Sequence, residues 1–203
     1  MVAMISDILK PAVTRVITPS AKGLLKIGLT PNSVTVIGAV GLISSALYFY
    51  PSGHLVLGTA VIAFFALGDL FDGTMARISN QGSSSWGAFL DSTIDRVTDS
   101  SVLIGLILFL ERKNDRLVPV AVVALVFGIL VPYIRAKAES LNIACSGGLA
   151  ERTERLIIML IAIFLHGIGL SYALSIGIWT MAILGAVTSF QRVLIVRRAV
   201  QSV

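Results

Sequence analysis

Long apolar runs separated by short polar connectors make up most of this chain. Runs of about 20 apolar residues match the length of a helix that crosses a bilayer. Pro31 and Asn32 mark the start of the first run, and the Pro51–Ser52–Gly53 turn ends it. The pattern predicts six membrane helices, at 33–50, 55–78, 86–110, 117–134, 156–165 with its flanks, and 172–190.

The third predicted helix is apolar only in its second half, Val102–Leu110. Its first half contains four charged side chains, at Asp91, Asp95, Arg96 and Asp99. A hydropathy window would therefore miss this helix, and the reason for its charges has to be sought in chemistry.

The first 28 residues have a different pattern, in which apolar positions such as Ile5, Ile8 and Leu9 alternate with basic ones such as Lys10 and Arg15. This predicts an amphipathic helix in the membrane interface, interrupted near Pro19. A solvated N-terminal arm is the alternative. The fold predicted is an all-α membrane protein with six transmembrane helices in 29–203, preceded by an N-terminal amphipathic interfacial helix in 1–28.

Composition supports a membrane protein, because only 13% of the residues are charged and 56% are hydrophobic, whereas soluble domains are about 25% charged. The net charge of +5 raises the question of nucleic acid, but the basic residues lie at the ends of apolar runs, so we expect no nucleic-acid partner. With six spans, 13 Lys and Arg residues fall on the side of both termini and three on the other. The positive-inside rule then predicts a multi-pass membrane protein with both termini on the cytoplasmic side.

Four aspartates lie near the cytoplasmic ends of the second and third predicted helices. Asp69 and Asp72 are three residues apart, and Asp91 and Asp95 are four apart, so each pair shares a helical face. Charges at such positions need a partner or a water-filled cavity. If the two helices are antiparallel neighbours, their carboxylates form a site suited to Mg²⁺ or Mn²⁺.

Other interpretations of these residues remain open. A single intramembrane Asp is often structural, and a glycine in a span is often a packing contact. The same four aspartates could also line a divalent-cation transporter, although they cluster near one membrane face. Asp99 continues the stripe by one turn, where a structural role is at least as well supported as metal binding.

The aspartates belong to a longer motif, Asp69-x₂-Asp72-Gly73-x₂-Ala76-Arg77-x₉-Gly87-x₃-Asp91-x₃-Asp95. This motif resembles the signature of the CDP-alcohol phosphatidyltransferases, a family of six-helix membrane enzymes. The resemblance implies that an alcohol displaces CMP from a CDP-linked lipid such as CDP-diacylglycerol, with two divalent ions, Mg²⁺ or Mn²⁺, in the site.

The resemblance also implies roles for individual residues. Asp69, Asp72 and Asp91 would bind the metals, and Asp95 would assist them and take the proton of the acceptor hydroxyl. The residues expected to bind the CDP-lipid are Asn32, Thr35, Gly73, Ala76, Arg77, Ser83 and Gly87. Family members tend to form homodimers, and small residues such as Gly38, Gly41, Ser44 and Ser45 indicate close helix contact.

A second group of residues is basic and predicts a pocket for an acceptor that carries a phosphate. It consists of Arg135, Lys137, Arg152, Arg155 and Arg192. The alternative is that these are only positive-inside residues at the lipid surface. The stretches PYIRAKAE, GGLAERTERLII and FQR around them resemble the actinobacterial phosphatidylinositol phosphate synthases. This implies inositol 1-phosphate as the acceptor and a bacterial cell membrane as the location, with the active site on the cytoplasmic side. Glycerol 3-phosphate, the acceptor of phosphatidylglycerophosphate synthases, is the alternative substrate.

Overall fold

The computed structural model describes residues 17–79, 84–145 and 152–201. All regular secondary structure in these ranges is helical, which confirms the all-α class. After a helical stretch over 17–26, the helices are α1 (Pro31–Phe49), α2 (Leu55–Ala66), α3 (Gly68–Ile78), α4 (Ser85–Arg112), α5 (Val118–Ser140), α6 (Arg152–Gly167) and α7 (Ser171–Gln201).

The predicted N-terminal amphipathic helix falls mainly on residues 1–16, outside the described part of the chain. Residues 17–26 are helical, and Pro19 lies in the first turn of this described stretch, where a proline is tolerated. The predicted interruption near Pro19 stays a prediction. The position of this helix in the membrane interface stays a prediction.

The start of α1 follows from its local sequence. Gly28 has a φ of +85°, a conformation that costs glycine little and allows the chain to turn just before the helix. Thr30 Oγ1 then accepts a hydrogen bond of 3.2 Å from the Ser33 backbone N–H, as an N-cap does. Pro31, the first helical residue, has no N–H that would be left unbonded there.

The second predicted helix is present as two consecutive helices, α2 and α3. Leu67 between them keeps near-helical angles, with φ −64° and ψ −19°, and Leu55–Ile78 has the length and hydropathy of one 24-residue membrane span. The interruption lies where α1 approaches closely, since a Cβ on Gly38 would be 3.4 Å from the Phe65 carbonyl oxygen. Gly38 and Gly41 thus serve a helix contact within the chain.

Four segments of the described chain have the length and composition of membrane-spanning helices. They are Pro31–Phe49, Leu55–Ile78, Val118–Ser140 and Ser171–Gln201. The charges of α4 lower its hydropathy, and the 16 residues of α6 extend only about 24 Å at 1.5 Å per residue. Membrane-helix character is therefore confirmed, whereas a count of six spans stays a prediction.

The chain divides into two compact units. Met1–Ser45 and Ala60–Thr98 form the first unit, and Ala46–Thr59 with Asp99–Val203 form the second. In the second unit α7 packs against both α5 and α6. Gly185 makes the first of these contacts close, because a Cβ there would be 2.7 Å from the Phe127 Cβ. The whole aspartate motif belongs to the first unit, and all five residues of the basic group belong to the second.

Candidate active site

Asp72 of α3 is held by a residue of α1. It is buried, with 8% of its surface exposed, and Thr35 is buried to the same degree. The Thr35 hydroxyl donates a short hydrogen bond to Asp72 Oδ2. The Pro31 carbonyl oxygen is also 3.1 Å from this hydroxyl, but the hydroxyl has one proton and a carboxylate is the stronger acceptor. The start of α1 therefore fixes the orientation of a predicted metal ligand.

The start of α4 lies beside the same end of α1. Ser84 caps α4 by accepting a hydrogen bond of 3.0 Å from the Gly87 backbone N–H. A Cβ on Gly87 would be 3.3 Å from Asn32 Oδ1. The structure thus brings Asn32 and Gly87 together as neighbours, whereas Ser83 lies outside the described residues.

Asp91 and Asp95 follow on α4, one turn apart. Asp91 is exposed and Asp95 is half-buried, so water and a polar substrate can reach both. The backbone of Asp69 is in α3, but its side chain lies outside the described part of the structure. Among the side chains that are described, no three His, Cys, Asp or Glu residues converge as a ready-made ligand set. The four-aspartate metal site therefore stays a prediction.

The chemistry of these residues nevertheless fits a divalent metal. Carboxylate oxygens are the ligands that Mg²⁺ and Mn²⁺ prefer. A Cβ on Gly73 would meet nothing within 4 Å, so there is open space immediately beside Asp72.

Arg77 lies in the last turn of α3, with Ala76, which is half-buried, next to it. Its Nε–H donates a hydrogen bond of 3.0 Å to the carbonyl oxygen of Gly73. A guanidinium at this position complements the carbonyl groups and the negative end of the helix dipole. The predicted contacts of Arg77, Ala76 and Gly73 with the CDP-lipid stay predictions.

In the second unit, Arg152 pairs with Asp99. The Arg152 Nε–H is 3.2 Å from Asp99 Oδ1 and 3.3 Å from Oδ2, and the two side chains are 23% and 30% exposed. The sequence left the role of Asp99 open, and it gave no indication of this contact between residues 53 positions apart.

The other basic residues differ in their surroundings. Arg155 is buried, with 7% exposed, and Arg192 donates a hydrogen bond of 2.7 Å to the Val131 carbonyl oxygen. Arg135 instead forms an exposed ion pair of 2.8 Å with Glu139, one turn along α5, and Lys137 is exposed too. Three of the five predicted acceptor-binding residues, Arg152, Arg155 and Arg192, are therefore at least partly buried in the second unit.

A family model and curated relatives match nearly the whole chain. The model of the CDP-alcohol phosphatidyltransferase family matches residues 28–194. The phosphatidylinositol phosphate synthase of Streptomyces avermitilis is 40% identical, with 97% of this chain and 84% of that protein covered. The phosphatidylinositol phosphate synthase of Mycobacterium tuberculosis is 39% identical, with 90% of this chain and 86% of that protein covered.

Solved structures agree with this match. A crystal structure of the Mycobacterium tuberculosis phosphatidylinositol phosphate synthase with CDP-DAG bound has a TM-score of 0.85 and 39% identity, and the alignment covers 90% of this chain and 94% of that one. A second crystal structure, with manganese and citrate, has a TM-score of 0.83 and 38% identity, with 89% and 88% covered. This chain belongs to the CDP-alcohol phosphatidyltransferase family.

Proposed function

We propose that this protein is an integral membrane phosphatidylinositol phosphate synthase. It transfers the phosphatidyl group of CDP-diacylglycerol to a hydroxyl of inositol 1-phosphate and releases CMP. The observation that carries this proposal is the buried Thr35–Asp72 contact beside the start of α4, within one unit that contains the complete aspartate motif. The similarity to phosphatidylinositol phosphate synthases over most of the chain supports the choice of acceptor.

The reaction is a displacement at phosphorus. The acceptor hydroxyl oxygen forms a bond to the phosphorus that carries the diacylglycerol, and the bond from that phosphorus to the bridging pyrophosphate oxygen breaks. CMP leaves with the electron pair, and the hydroxyl proton passes to the Asp95 carboxylate. Asp95 suits this role because a half-buried carboxylate on a rigid helix can be held within hydrogen-bond reach of the acceptor.

Asp69, Asp72 and Asp91, assisted by Asp95, would hold two divalent ions, Mg²⁺ or Mn²⁺. When bound, such ions stabilise negative charge on the attacking and leaving oxygens. Thr35 keeps Asp72 oriented for this purpose, since the hydrogen bond fixes one of its two oxygens. The manganese complex of the Mycobacterium tuberculosis relative supports a divalent ion.

On the donor side, the small residues of the motif give the CDP-lipid room. Gly73 has open space where a side chain would be, and a Cβ on Gly87 would crowd Asn32. We assign the CDP-lipid site to these glycines together with Asn32, Thr35, Ala76, Arg77 and Ser83. The CDP-DAG complex of the relative supports a CDP-linked lipid as the donor.

On the acceptor side, Arg152, Arg155 and Arg192 bind the phosphate of the acceptor, with Arg135 and Lys137 contributing positive charge. A guanidinium presents its N–H donors in a fork that matches phosphate geometry. An acceptor without a phosphate, such as free inositol, would offer these arginines no negative charge to bind, so the enzyme prefers the phosphorylated polyol.

The membrane arrangement belongs to the same proposal. Six spans are formed by α1, the α2–α3 pair, α4, α5, α6 and α7, with both termini and the active site on the cytoplasmic side of a bacterial cell membrane. The excess of Lys and Arg on that side, 13 against three, supports this orientation. The enzyme works as a homodimer, as the family resemblance implies.

An acceptor panel tests the proposal. Purified protein is given labelled CDP-diacylglycerol and Mg²⁺, and CMP release is measured with inositol 1-phosphate, glycerol 3-phosphate, inositol or serine. Rapid release with inositol 1-phosphate is expected. Release with glycerol 3-phosphate alone would refute the acceptor assignment, and no release with any acceptor would refute the enzymatic function and favour ion transport.

Asp95→Asn tests the proposed base. The variant keeps the size of the side chain but cannot take a proton, so turnover should be lost while labelled CDP-lipid still binds. Glu111→Gln, an exposed position in the last turn of the same helix, is the matched control and should be fully active. An Asp95→Asn variant that retains turnover would remove Asp95 as the base.

A further inference from the structure

The Asp99–Arg152 ion pair is a feature that the reaction described above does not use. Asp99 lies one helical turn after Asp95 on α4, and Arg152 is the first residue of α6 that the structure describes. The guanidinium Nε–H lies almost equally close to both carboxylate oxygens, at 3.2 and 3.3 Å. The carboxylate thus accepts its hydrogen bond from the edge of the guanidinium that is nearest the side-chain stem.

Both charges are in places where they need compensation. The part of α4 that follows Asp99 is apolar, and a charge there is costly without a partner. The Arg152 side chain is only 23% exposed, so its cation has lost part of its hydration. The ion pair relieves both costs, so a purely structural role would account for its existence.

Two observations point beyond a structural role. The Arg152 side chain is 23% exposed, so a ligand can reach it, and Arg155 follows three residues later on the same face of α6. In addition, Asp99 contacts the Nε–H of Arg152, on the side of the guanidinium nearest the side-chain stem. The ion pair with Asp99 fixes the orientation of the Arg152 guanidinium before a ligand binds.

We propose that Asp99 is a positioning residue for the acceptor: it holds the Arg152 guanidinium in the orientation that binds the acceptor's phosphate. This inference rests on the proposed function, which assigns Arg152 to that phosphate. Asp99 itself acts through Arg152 and touches neither substrate.

Asp99 has two effects on an anionic acceptor, and they differ in sign. Its negative charge opposes the phosphate, so removing the charge alone would lower the acceptor KM. Its hydrogen bond to Arg152 orders that side chain before the acceptor binds. Without this hydrogen bond the acceptor must order the side chain on binding, which raises the KM. We expect loss of the hydrogen bond to have the larger effect. The acceptor KM should then rise about three- to tenfold, which corresponds to the cost of immobilising one flexible side chain.

Kinetics of three variants test the proposal. Asp99→Ala removes both the charge and the hydrogen-bond acceptor and should raise the acceptor KM most. Asp99→Asn keeps an acceptor oxygen for Nε–H and should raise it less, and Asp99→Glu should come closest to the wild type. The KM for CDP-diacylglycerol should stay within about twofold in all three, since a positioning effect on the acceptor does not reach the donor. Glu111→Gln removes one exposed charge from the same helix and serves as the control.

A double-mutant cycle separates action through Arg152 from an independent effect. In an Arg152→Ala background, Asp99→Ala should no longer raise the acceptor KM, because there is no guanidinium left to position, and loss of the Asp99 charge should lower it slightly. A further rise in that background, or an acceptor KM that falls or stays constant in the single variants, would overturn the proposal. If Asp99→Ala does not fold, Asp99→Asn and Asp99→Glu supply the same comparison.

The experiment also separates this inference from the proposed function. If none of the phosphorylated polyols supports CMP release by the wild-type protein, the proposed function itself is refuted. A wild-type protein that is active with inositol 1-phosphate, but whose Asp99 variants lose melting temperature without a change in acceptor KM, refutes only the positioning role.

Discussion

Replacing Thr35 by valine tests how the structure orients the metal site. The two side chains have nearly the same shape, so Thr35→Val removes the hydroxyl that donates to Asp72 Oδ2 and little else. Both residues are only 8% exposed, so water cannot easily replace the lost donor. The carboxylate then keeps its charge but loses the contact that sets its orientation.

The size of the effect follows from the type of bond. A hydrogen bond to a charged group contributes about 1.5–3 kcal/mol, which corresponds to roughly 10- to 100-fold in an equilibrium constant. Loss of a residue that orients a metal ligand costs a similar factor in metal affinity. We therefore expect the Mg²⁺ concentration that gives half-maximal CMP release to rise by about 10- to 100-fold.

The assay titrates Mg²⁺ at saturating substrates and, independently of turnover, measures Mn²⁺ binding by electron paramagnetic resonance. Thr35→Ser keeps the hydroxyl and should bind metal almost as well as the wild type. An unchanged metal dependence would refute this reasoning. A raised KM for CDP-diacylglycerol beside it would leave Thr35 with only the CDP-lipid contact that the family resemblance implies.

Three further predictions follow from helix contacts and from the metal. Gly105→Ala places a Cβ against the Ala46 carbonyl group, which cannot move aside because it belongs to the backbone. Overpacking of this kind costs about 1–3 kcal/mol. The apparent melting temperature of the variant should therefore fall by several degrees. Gly128→Ala, where a Cβ meets nothing within 4 Å, is the control and should lose no stability. Arg192→Lys keeps the charge but not the fork that reaches the Val131 carbonyl, and the acceptor KM should rise while the KM for CDP-diacylglycerol stays constant; an unchanged acceptor KM would make Arg192 purely structural. Removal of divalent ions by EDTA should abolish CMP release and added Mg²⁺ should restore it, whereas activity that persists in EDTA would contradict a metal-dependent reaction.

Sequence reasoning located the helices well where a local signal exists. The boundaries of α1 follow from Thr30, Pro31 and the turn after Phe49, all of which act over a few residues. The charged first half of α4 was identified as helical because its aspartates recur at helical spacing. The helix ends were less predictable: α5 continues through Pro132 to Ser140 and α7 extends to Gln201, since polar residues can prolong a helix beyond its apolar run.

The partners of the site residues could not be predicted in the same way. The Thr35–Asp72 and Asp99–Arg152 contacts join residues 37 and 53 positions apart, and no periodicity within one helix specifies which faces of two helices meet. The family resemblance implied that Thr35 binds the CDP-lipid, which stays a prediction. Its hydrogen bond to Asp72 was not foreseen, because a hydroxyl near a signature motif does not reveal its partner. The pairing of Arg135 with Glu139 was foreseeable from their spacing of four residues.

The division of the chain into two compact units has a consequence for how such enzymes diversify. Every residue assigned to the CDP-lipid and the metals belongs to the first unit, and every residue assigned to the acceptor phosphate belongs to the second. Substitutions on α5, α6 and α7 can thus change which alcohol is accepted while the donor chemistry is inherited intact. An engineer seeking a new headgroup specificity would randomise those three helices and leave the aspartate motif as a fixed module.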